Sequence, residues 1–248
     1  MARLLINLEG IDGSGKNTCY QFIKNYFEER NFEVRKYHYP DENSIWGKAI
    51  LMFLEGKCNL STEEQFFAYF VDMVKDQKRI QNDLNNGVIV VLDRYVPSTL
   101  AFQCAKGFDF NTGVKIIDSM NVLIPNLTVL LDIDPEVSFK RKKLQKQLVD
   151  KHEEDLTLQK KVKDQYYHLF KSKVFSEKWV LIDSNKEFDI LEKEIITQIE
   201  LLTKERGILD LKQNIKPTGC YKDYLQECEP AYCTFRLIGE CKEYKSIS

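Results

Sequence analysis

The sequence lacks the features that mark membrane proteins and nucleic-acid-binding proteins. No segment holds about 18 uninterrupted apolar residues, the minimum that a membrane-spanning helix requires. The formal net charge is only -2 and no stretch is purely basic, so neither nucleic acid nor a membrane surface is expected as a partner. Asn7 and Glu9 interrupt the first apolar run, so no targeting segment is expected either. The expected partner is a small molecule.

The chain also lacks the paired cysteines of a disulfide-stapled protein. Its seven cysteines are an odd number, and Cys19, Cys58 and Cys104 are scattered through a chain far longer than a small secreted scaffold. A soluble protein of the reducing cytoplasm is therefore expected. With 43% hydrophobic residues among 248 positions, the chain can bury one full core and still carry an appendage.

Short continuous apolar runs alternate with segments of helical spacing. Continuous runs are typical of parallel strands that are covered on both faces. The sequence therefore predicts an α/β fold, a doubly wound five-stranded parallel sheet with helices on both faces, whose ligands bind at the carboxyl ends of the strands. The predicted strands are 4–8, 34–39, 88–92, 129–133 and 179–182, and the predicted helices are 18–30, 62–85, 98–106, 112–122, 135–146, 154–172 and 189–206.

The pattern changes after Gly207. Residues 1–207 are predicted to form the α/β domain, and residues 208–248 a C-terminal extension without a long periodic run. The extension holds four cysteines whose spacing lacks the C-x-x-C pairs of common zinc sites: Cys220, Cys228, Cys233 and Cys241. A packed, reduced appendage is favoured over a metal site, and its role stays open.

The stretch EGIDGSGKNT lies between the first predicted strand and the first predicted helix. In the pattern Gly10-x-x-x-x-Gly15-Lys16, the glycines let backbone N–H groups curl around a phosphate, and the helix start adds a favourable dipole. Lys16 is expected to reach the transferred phosphoryl group. The alternative, a glycine turn that binds nothing, is disfavoured by the strand and helix on either side.

Asn17 stands where such a loop usually carries a hydroxyl that binds Mg²⁺. Its amide carbonyl is also an oxygen ligand suited to a hard cation. Two arrangements stay open: Asn17 ligates Mg²⁺ directly, or phosphates and water hold the metal with Asp93 behind them. Asp93 and Arg94 end a buried predicted strand, where the carboxylate can hold Mg²⁺ and the guanidinium can clamp a phosphate with two hydrogen bonds.

These motifs resemble those of the thymidylate kinases, P-loop enzymes that move the terminal phosphoryl group of ATP to dTMP. The resemblance covers about residues 3–205, and its loop residues include Glu9, Asp12 and Lys16. It implies a P-loop kinase that uses ATP with Mg²⁺, makes dTDP for the dTTP supply, and pairs as a homodimer. Two alternatives stay open: a kinase for another (deoxy)nucleoside monophosphate, and a nucleotide-binding protein with little turnover.

The resemblance also implies which residues bind each substrate. Asp12 would lie near the sugar of the acceptor, Tyr69 or Phe70 would stack on its base, and Phe102 would either crowd the sugar's 2′ position or be ordinary helix core. The residues expected to bind ATP are Gly10, Gly13, Ser14, Gly15, Lys16, Asn17 and Thr18. Those expected to bind the acceptor are Asp12, Pro40, Tyr69, Phe70, Arg94, Ser98, Thr99 and Phe102.

The sequence departs from the family pattern at two positions. Glu42 and Met73 stand where the family frequently carries arginine. Each charge-assisted hydrogen bond to a phosphate is worth about 1.5–3 kcal/mol, so another cation should compensate. Arg94, Lys48 and Lys75 are the candidates.

A mobile lid of the family corresponds to the basic segment after the fourth predicted strand. Because the phosphate loop carries no basic residue beyond Lys16, the lid would supply the remaining charge that stabilises the transition state. Lys151 is the positional match and Arg141 the second choice, although most lysines there are expected to lie on a solvated helix face. The expected catalytic residues are therefore Lys16, Asp93, Arg94, Lys151 and Arg141, with Asn17 and Asp93 as the Mg²⁺ ligands.

Overall fold

Five parallel strands form the sheet of this protein in a computed structural model that describes residues 3–144 and 156–208. The spatial order of the strands is β2-β3-β1-β4-β5. Their bounds are β1 Leu4–Glu9, β2 Val34–His38, β3 Ile89–Asp93, β4 Leu127–Asp132 and β5 Trp179–Asp183. The five-stranded α/β fold and its strand positions are thus confirmed, with strand ends shifted by one or two residues.

Helices connect these strands. Within the described ranges they are α1 Lys16–Glu28, α2 Ile45–Leu54, α3 Thr62–Val74, α4 Gln77–Asn85, α5 Val96–Ala105, α6 Phe110–Ser119, α7 Pro135–Leu144, α8 Leu156–Ser172 and α9 Phe188–Glu205. None of these helices is long and apolar enough to cross a bilayer.

The central strands are apolar throughout because both faces of the sheet are covered. Every residue of β1 and β3 is buried, whereas the edge strand β2 is mostly half-buried. Alternate side chains of β1 and β3, such as Leu5 and Leu92, point into one layer of the core. The connections after the neighbouring strands β1 and β4 run to opposite sides of the sheet, which creates a crevice where ligands bind in such folds.

The register brings polar residues together at the carboxyl edge of the sheet. Leu8 of β1 pairs with Asp93 of β3, and His38 of β2 pairs with the same Asp93. The phosphate loop begins right after Glu9, one position beyond Leu8. The loop, β2 and the Asp93-Arg94 segment therefore meet at one place.

The predicted helix 62–85 is wrong, because the structure contains two helices, α3 and α4, in this range. Side chains bond carbonyl oxygens at the end of α3: Lys75 Nζ donates to Asp72 O at 2.9 Å, and Gln77 Nε2 donates to Met73 O at 3.0 Å. Such contacts are common where a helix ends, because its last carbonyl groups lack the helical backbone partner.

Spacing alone did not predict α2. Ser44 caps this helix, since its Oγ accepts a hydrogen bond of 2.8 Å from the N–H of Gly47. A serine at this position is a typical helix start. The strongly apolar run that follows it hides the helical period.

The described cysteines Cys19, Cys58 and Cys104 are free thiols. The four cysteines of the predicted C-terminal extension lie outside the described residues, so their packing stays a prediction.

Candidate active site

The loop between β1 and α1 has the backbone conformation of a phosphate-binding loop. Gly10, Gly13 and Gly15 have φ angles of 140°, 75° and 91°, values that favour glycine because it lacks a Cβ. A Cβ on Gly10 would also lie only 2.6 Å from the carbonyl oxygen of Leu131 and 2.8 Å from Ser14 Oγ. The glycines are therefore required by the turn and by its close packing.

Lys16 is held against this loop. Its Nζ donates to the carbonyl oxygens of Gly10 at 3.1 Å and Ile11 at 3.2 Å. Burial, together with the nearby charge of Arg94, lowers the pKa of Lys16 to about 8. Since both acceptors belong to the loop itself, the ammonium is positioned before any phosphate arrives.

The other predicted loop residues surround the start of α1. Ser14 is fully buried and its Oγ has no hydrogen-bond partner among the described residues. Asn17 is exposed and Thr18 is half-buried, both in the first helical turn. The start of α1 thus presents polar side chains beside N–H groups that lack helical partners, as anion sites at helix starts do.

Arg94 reaches from the end of β3 into the same place. Its backbone has a φ of 71°, which is uncommon for a residue other than glycine. One guanidinium nitrogen donates to Gly10 O at 3.1 Å and to Ser98 Oγ at 3.3 Å, and the other is ion-paired with the Asp12 carboxylate. The centre of the guanidinium lies 5.4 Å from the ring centroid of Phe102. The structure therefore brings together four of the residues expected at the acceptor site.

Arg94 keeps its charge although it is 9% exposed. Burial by itself lowers the pKa of the guanidinium, but the carboxylate of Asp12, with further contributions from Asp93 and Glu9, raises it above its ordinary value. A permanently charged and rigidly held guanidinium is suited to bind a phosphate dianion.

Glu9 and Tyr166 organise Arg94 from behind, and sequence reasoning assigned neither of them a role. Glu9 is fully buried, and its carboxylate accepts hydrogen bonds from Tyr95 N at 2.9 Å, from Tyr166 OH at 3.0 Å and from Ser98 Oγ. Burial raises the pKa of Glu9, although these donors and Arg94 oppose the rise. Tyr166 OH also lies 3.4 Å from the Arg94 guanidinium. Glu9 was visible as part of the loop motif, whereas Tyr166 had no local signal because it comes from α8.

A cavity of about 200 Å³ opens beside Arg94. The expected acceptor residues that line it are Asp12, Pro40, Tyr69, Arg94, Ser98, Thr99 and Phe102. Phe70 is packed in the core at 3% exposure, so of the two stacking candidates Tyr69 is the one that faces the cavity. Phe102 lies at the cavity wall near Arg94 and also packs against the hydrophobic core, so both of its expected roles stay open.

Gln103 lines the same cavity and was not predicted. It is fully buried, and neither its Oε1 nor its Nε2 has a hydrogen-bond partner among the described residues. Unpaired buried polar atoms are costly, so a pair of them on one cavity wall indicates a ligand that supplies both a donor and an acceptor. A glutamine within the otherwise largely apolar α5 was the signal that could have revealed it.

The two departures from the family pattern also line the cavity. Glu42 and Met73 both contribute to its wall, and Met73 Sδ lies 3.7 Å from Thr99 Oγ1. Among the described residues that line this cavity, Arg94 is the only arginine or lysine. The missing arginines are therefore not replaced by another such side chain from the described part of the wall.

Lys75, a candidate to replace them, is held elsewhere. Its Nζ lies 2.6 Å from Asp76, 3.1 Å from Asp41 and 3.2 Å from Asp72, so three carboxylates hold its charge. Lys48, the other candidate, is exposed on α2 and is not part of the cavity wall. Lys48 and Lys75 therefore lose support as replacements for the missing arginines, and Arg94 remains as the candidate.

Asp72 fixes the loop that carries Pro40 and Glu42. This buried carboxylate accepts hydrogen bonds from Asp41 N at 2.8 Å and from Ser44 Oγ. A Cβ on Gly47 would overlap the backbone carbonyl group of Asp41. The loop is thereby tied to α3 and packed against α2.

Asp93 lies at the carboxyl end of β3 with its side chain only 7% exposed. Its Oδ2 lies 2.8 Å from Lys36 Nζ and 3.2 Å from His38 Nδ1, whereas its buried Oδ1 has no partner among the described residues. Burial by itself raises the pKa of Asp93, but the hydrogen bond from His38 and the charge of Lys16 hold it well below its usual value.

Asn17 and Asp93 offer the oxygen donors that Mg²⁺ prefers. Lys36 Nζ, which bonds Asp93, also donates to Asn17 Oδ1 at 3.2 Å, so the two predicted ligands share one neighbour. An ionised carboxylate, an amide oxygen and one unpaired buried carboxylate oxygen fit a hard divalent cation. Asn17 in place of the usual hydroxyl is compatible with this donor set.

The lid residues are only partly described. Arg141 lies on α7 and is half-buried. Lys151 lies outside the described residues, so its expected role stays a prediction.

Replacing Tyr166 with phenylalanine should destabilise the protein. The change removes one hydroxyl that bonds the buried carboxylate of Glu9 and also lies 2.8 Å from Ser98 Oγ. We expect a loss of about 1–3 kcal/mol in the free energy of unfolding, measured by urea denaturation. Tyr167→Phe is the matched control, since its hydroxyl bonds only the half-buried Asp132 in the described structure. Equal losses of unfolding free energy in both variants would show that the hydrogen bonds around Glu9 stabilise the protein no more than an ordinary tyrosine hydrogen bond does.

Three comparisons with known proteins bear on this site. A family model described as thymidylate kinase matches residues 8–195. The chain is 32% identical over 215 residues to a "Probable thymidylate kinase" of Archaeoglobus fulgidus, covering 85% of this chain and 99% of that one. It is 36% identical over 201 residues to a "Probable thymidylate kinase" of Methanococcus maripaludis, covering 78% and 94%.

The fold comparison agrees with these relatives. The crystal structure of thymidylate kinase from Ehrlichia chaffeensis matches with a TM-score of 0.62 and 20% sequence identity, over 81% of this chain and 100% of that one. The family match spans the phosphate loop, the Asp93-Arg94 segment and the cavity between them. On the strength of that match, the chain belongs to the thymidylate kinase family.

Proposed function

We propose that this protein transfers the terminal phosphoryl group of ATP to dTMP, giving dTDP and ADP. One observation carries the proposal beyond family membership. Lys16 Nζ and a guanidinium nitrogen of Arg94 both donate to the carbonyl oxygen of Gly10, each at 3.1 Å. The cation of the donor site and the cation of the acceptor cavity therefore lie within about 6.2 Å of each other. Phosphoryl transfer requires two phosphates to be brought that close.

The side chains of the site support direct transfer, without a covalent enzyme intermediate. Lys16 binds the phosphates of ATP, and Arg94 binds the phosphate of the acceptor. Their charges reduce the repulsion between two anionic groups, and their fixed positions align the acceptor oxygen with the terminal phosphorus. Positioning and charge stabilisation account for most of the catalysis in reactions of this kind.

Asn17 and Asp93 would hold Mg²⁺ through the amide and carboxylate oxygens described above. When bound, the metal neutralises part of the charge on the ATP phosphates. Arg141 and Lys151 are proposed to supply further positive charge from the lid, where they would face the donor phosphates.

The cavity supports a deoxynucleotide as the acceptor. Asp12, next to Arg94, would meet the sugar, and the ring of Phe102 would crowd its 2′ position. Tyr69 offers an aromatic face to the base, since aromatic side chains stack favourably on such rings. Thr99 and Gln103 then lie at the edge of the base, where Gln103 offers one donor and one acceptor to the thymine imide.

The test of this function is an ADP-release assay with ATP and Mg²⁺, with Lys16→Ala as the blank. We expect turnover with dTMP to exceed turnover with dUMP, dCMP, dGMP and thymidine. Preference for another acceptor would mean that Glu42 and Met73 redefine the cavity. ATP binding without turnover on any acceptor would favour the alternative of a nucleotide-binding protein.

Gln103→Leu should raise the KM for dTMP by about tenfold, because two hydrogen bonds to the base are lost and each is worth about 0.5–1.5 kcal/mol. The KM for ATP should not change, since Gln103 lies in the acceptor cavity. Cys104→Ala, on the next residue and outside the cavity wall, is the control. An unchanged KM for dTMP in Gln103→Leu would rule out the contact with the base.

We also propose a homodimer. Some of the exposed apolar side chains lie on α2 and α3, where they offer a surface for this pairing: Ile45, Trp46, Met52 and Phe67. Light scattering on the purified protein should give twice the mass of 29.2 kDa, and a Trp46→Glu variant should shift it towards one chain.

A further inference from the structure

Lys36 occupies a place that neither the motifs nor the family resemblance assigned to it. Its ammonium lies 2.8 Å from Asp93 Oδ2 and 3.2 Å from Asn17 Oδ1, and so lies between the two oxygens expected to bind a metal. It also lies 5.0 Å from the ring centroid of Tyr20 on α1. This lysine is therefore packed at the site, with only 24% of its side chain exposed.

The fold places Lys36 there through the register of the edge strand. Lys36 of β2 pairs with Val91 of β3, and His38 pairs with Asp93, so Lys36 lies one pleat before the carboxyl edge of the sheet. Its long side chain has to extend along the strand direction to reach Asp93. Side chains two apart on a strand share a face, which explains why Lys36 and His38 meet the same carboxylate.

We propose that Lys36 is a resident cation of the metal subsite, with which a divalent cation has to compete. Its ammonium holds the Asn17 amide and the Asp93 carboxylate in place before a metal binds, and it competes with a divalent cation for both oxygens. The proposal rests on the assignment of Asn17 and Asp93 as metal ligands in the proposed function.

Charge is the source of this competition. An ammonium has three donors and no acceptor, so it bonds the same oxygen atoms that a metal prefers. A divalent cation that binds these oxygens meets a second positive charge a few ångströms away, which opposes its binding. Asp93 Oδ1, which is unpaired in the described structure, remains available to either arrangement.

The proposal also gives Asn17 a role that a hydroxyl could not fill equally well. Asn17 Oδ1 projects far enough from the helix start to accept the hydrogen bond from Lys36, whereas a serine or threonine hydroxyl sits closer to its own backbone. Asn17 and Lys36 would then act as a pair, in which the lysine orients the amide oxygen that stands in for the usual hydroxyl.

The experiment is a titration with Mn²⁺, a spectroscopically visible substitute for Mg²⁺, on the protein without nucleotide. The concentration of free Mn²⁺ is measured by electron paramagnetic resonance. Lys36→Met, which removes the charge but keeps much of the side-chain volume, should bind Mn²⁺ about tenfold more tightly than the unchanged protein, because the competing charge is gone. Lys36→Gln serves as a second variant if Lys36→Met does not fold, as judged by circular dichroism.

Three controls make the result specific. Lys36→Arg keeps the charge and should leave the Mn²⁺ affinity close to that of the unchanged protein. Lys24→Met changes the net charge equally on α1, at a lysine paired with Glu28, and should have no effect. The double variant Asn17→Ala with Lys36→Met should lose part of the gain, because the metal then has one oxygen fewer.

An unchanged or weaker Mn²⁺ affinity in Lys36→Met would overturn the proposal. The Asp93→Asn variant separates this failure from failure of the ligand assignment. If Asp93→Asn abolishes Mn²⁺ binding and Lys36→Met leaves it unchanged, Asp93 is a ligand and Lys36 does not compete with the metal. If Asp93→Asn leaves Mn²⁺ binding unchanged, the ligand assignment of Asp93 and the proposed role of Lys36 are both wrong. Turnover with dTMP is measured separately, so the kinase assignment stands or falls on its own assay.

Discussion

A buried guanidinium needs compensating charge and hydrogen bonds, and Arg94 determines much of the surrounding structure for this reason. Asp12 supplies the opposite charge, and the carbonyl oxygen of Gly10 accepts a hydrogen bond from the Arg94 guanidinium. The buried carboxylate of Glu9 accepts hydrogen bonds from the hydroxyl groups of Ser98 and Tyr166, and both hydroxyl groups also contact the Arg94 guanidinium. The phosphate loop, β3, α5 and α8 are therefore joined through one side chain.

The same arrangement links the two halves of the site electrostatically. Lys16 and Arg94 share an acceptor, and the charge of Arg94 contributes to lowering the pKa of Lys16. Two cations this close would be unfavourable without Asp12, Asp93 and Glu9, which all act to raise the pKa of Lys16. Substrate phosphates add to this set of anions.

The sequence predicted the sheet and the loop well because both depend on local patterns. Continuous apolar runs and a glycine motif are determined by neighbouring residues, and each predicted strand is present. The helix break after Val74 was missed because apolar spacing does not detect the side-chain contacts that Lys75 and Gln77 make at this helix end. Tyr166, Gln103 and Lys36 were missed for a related reason. Their positions at the site follow from tertiary packing and strand register, which no short motif encodes.

The carboxylate of Asp72 has a consequence for how a ligand enters. It ties Asp41 and Ser44 to α3, while Gly47 lets α2 pack directly against the backbone of Asp41. A segment that is already ordered loses little conformational entropy when a ligand arrives, so more of the interaction energy appears as affinity. Among the described residues of the cavity wall, Arg94 is the only arginine or lysine. Asp72 thus supports ligand binding indirectly, through the order that it imposes on this wall.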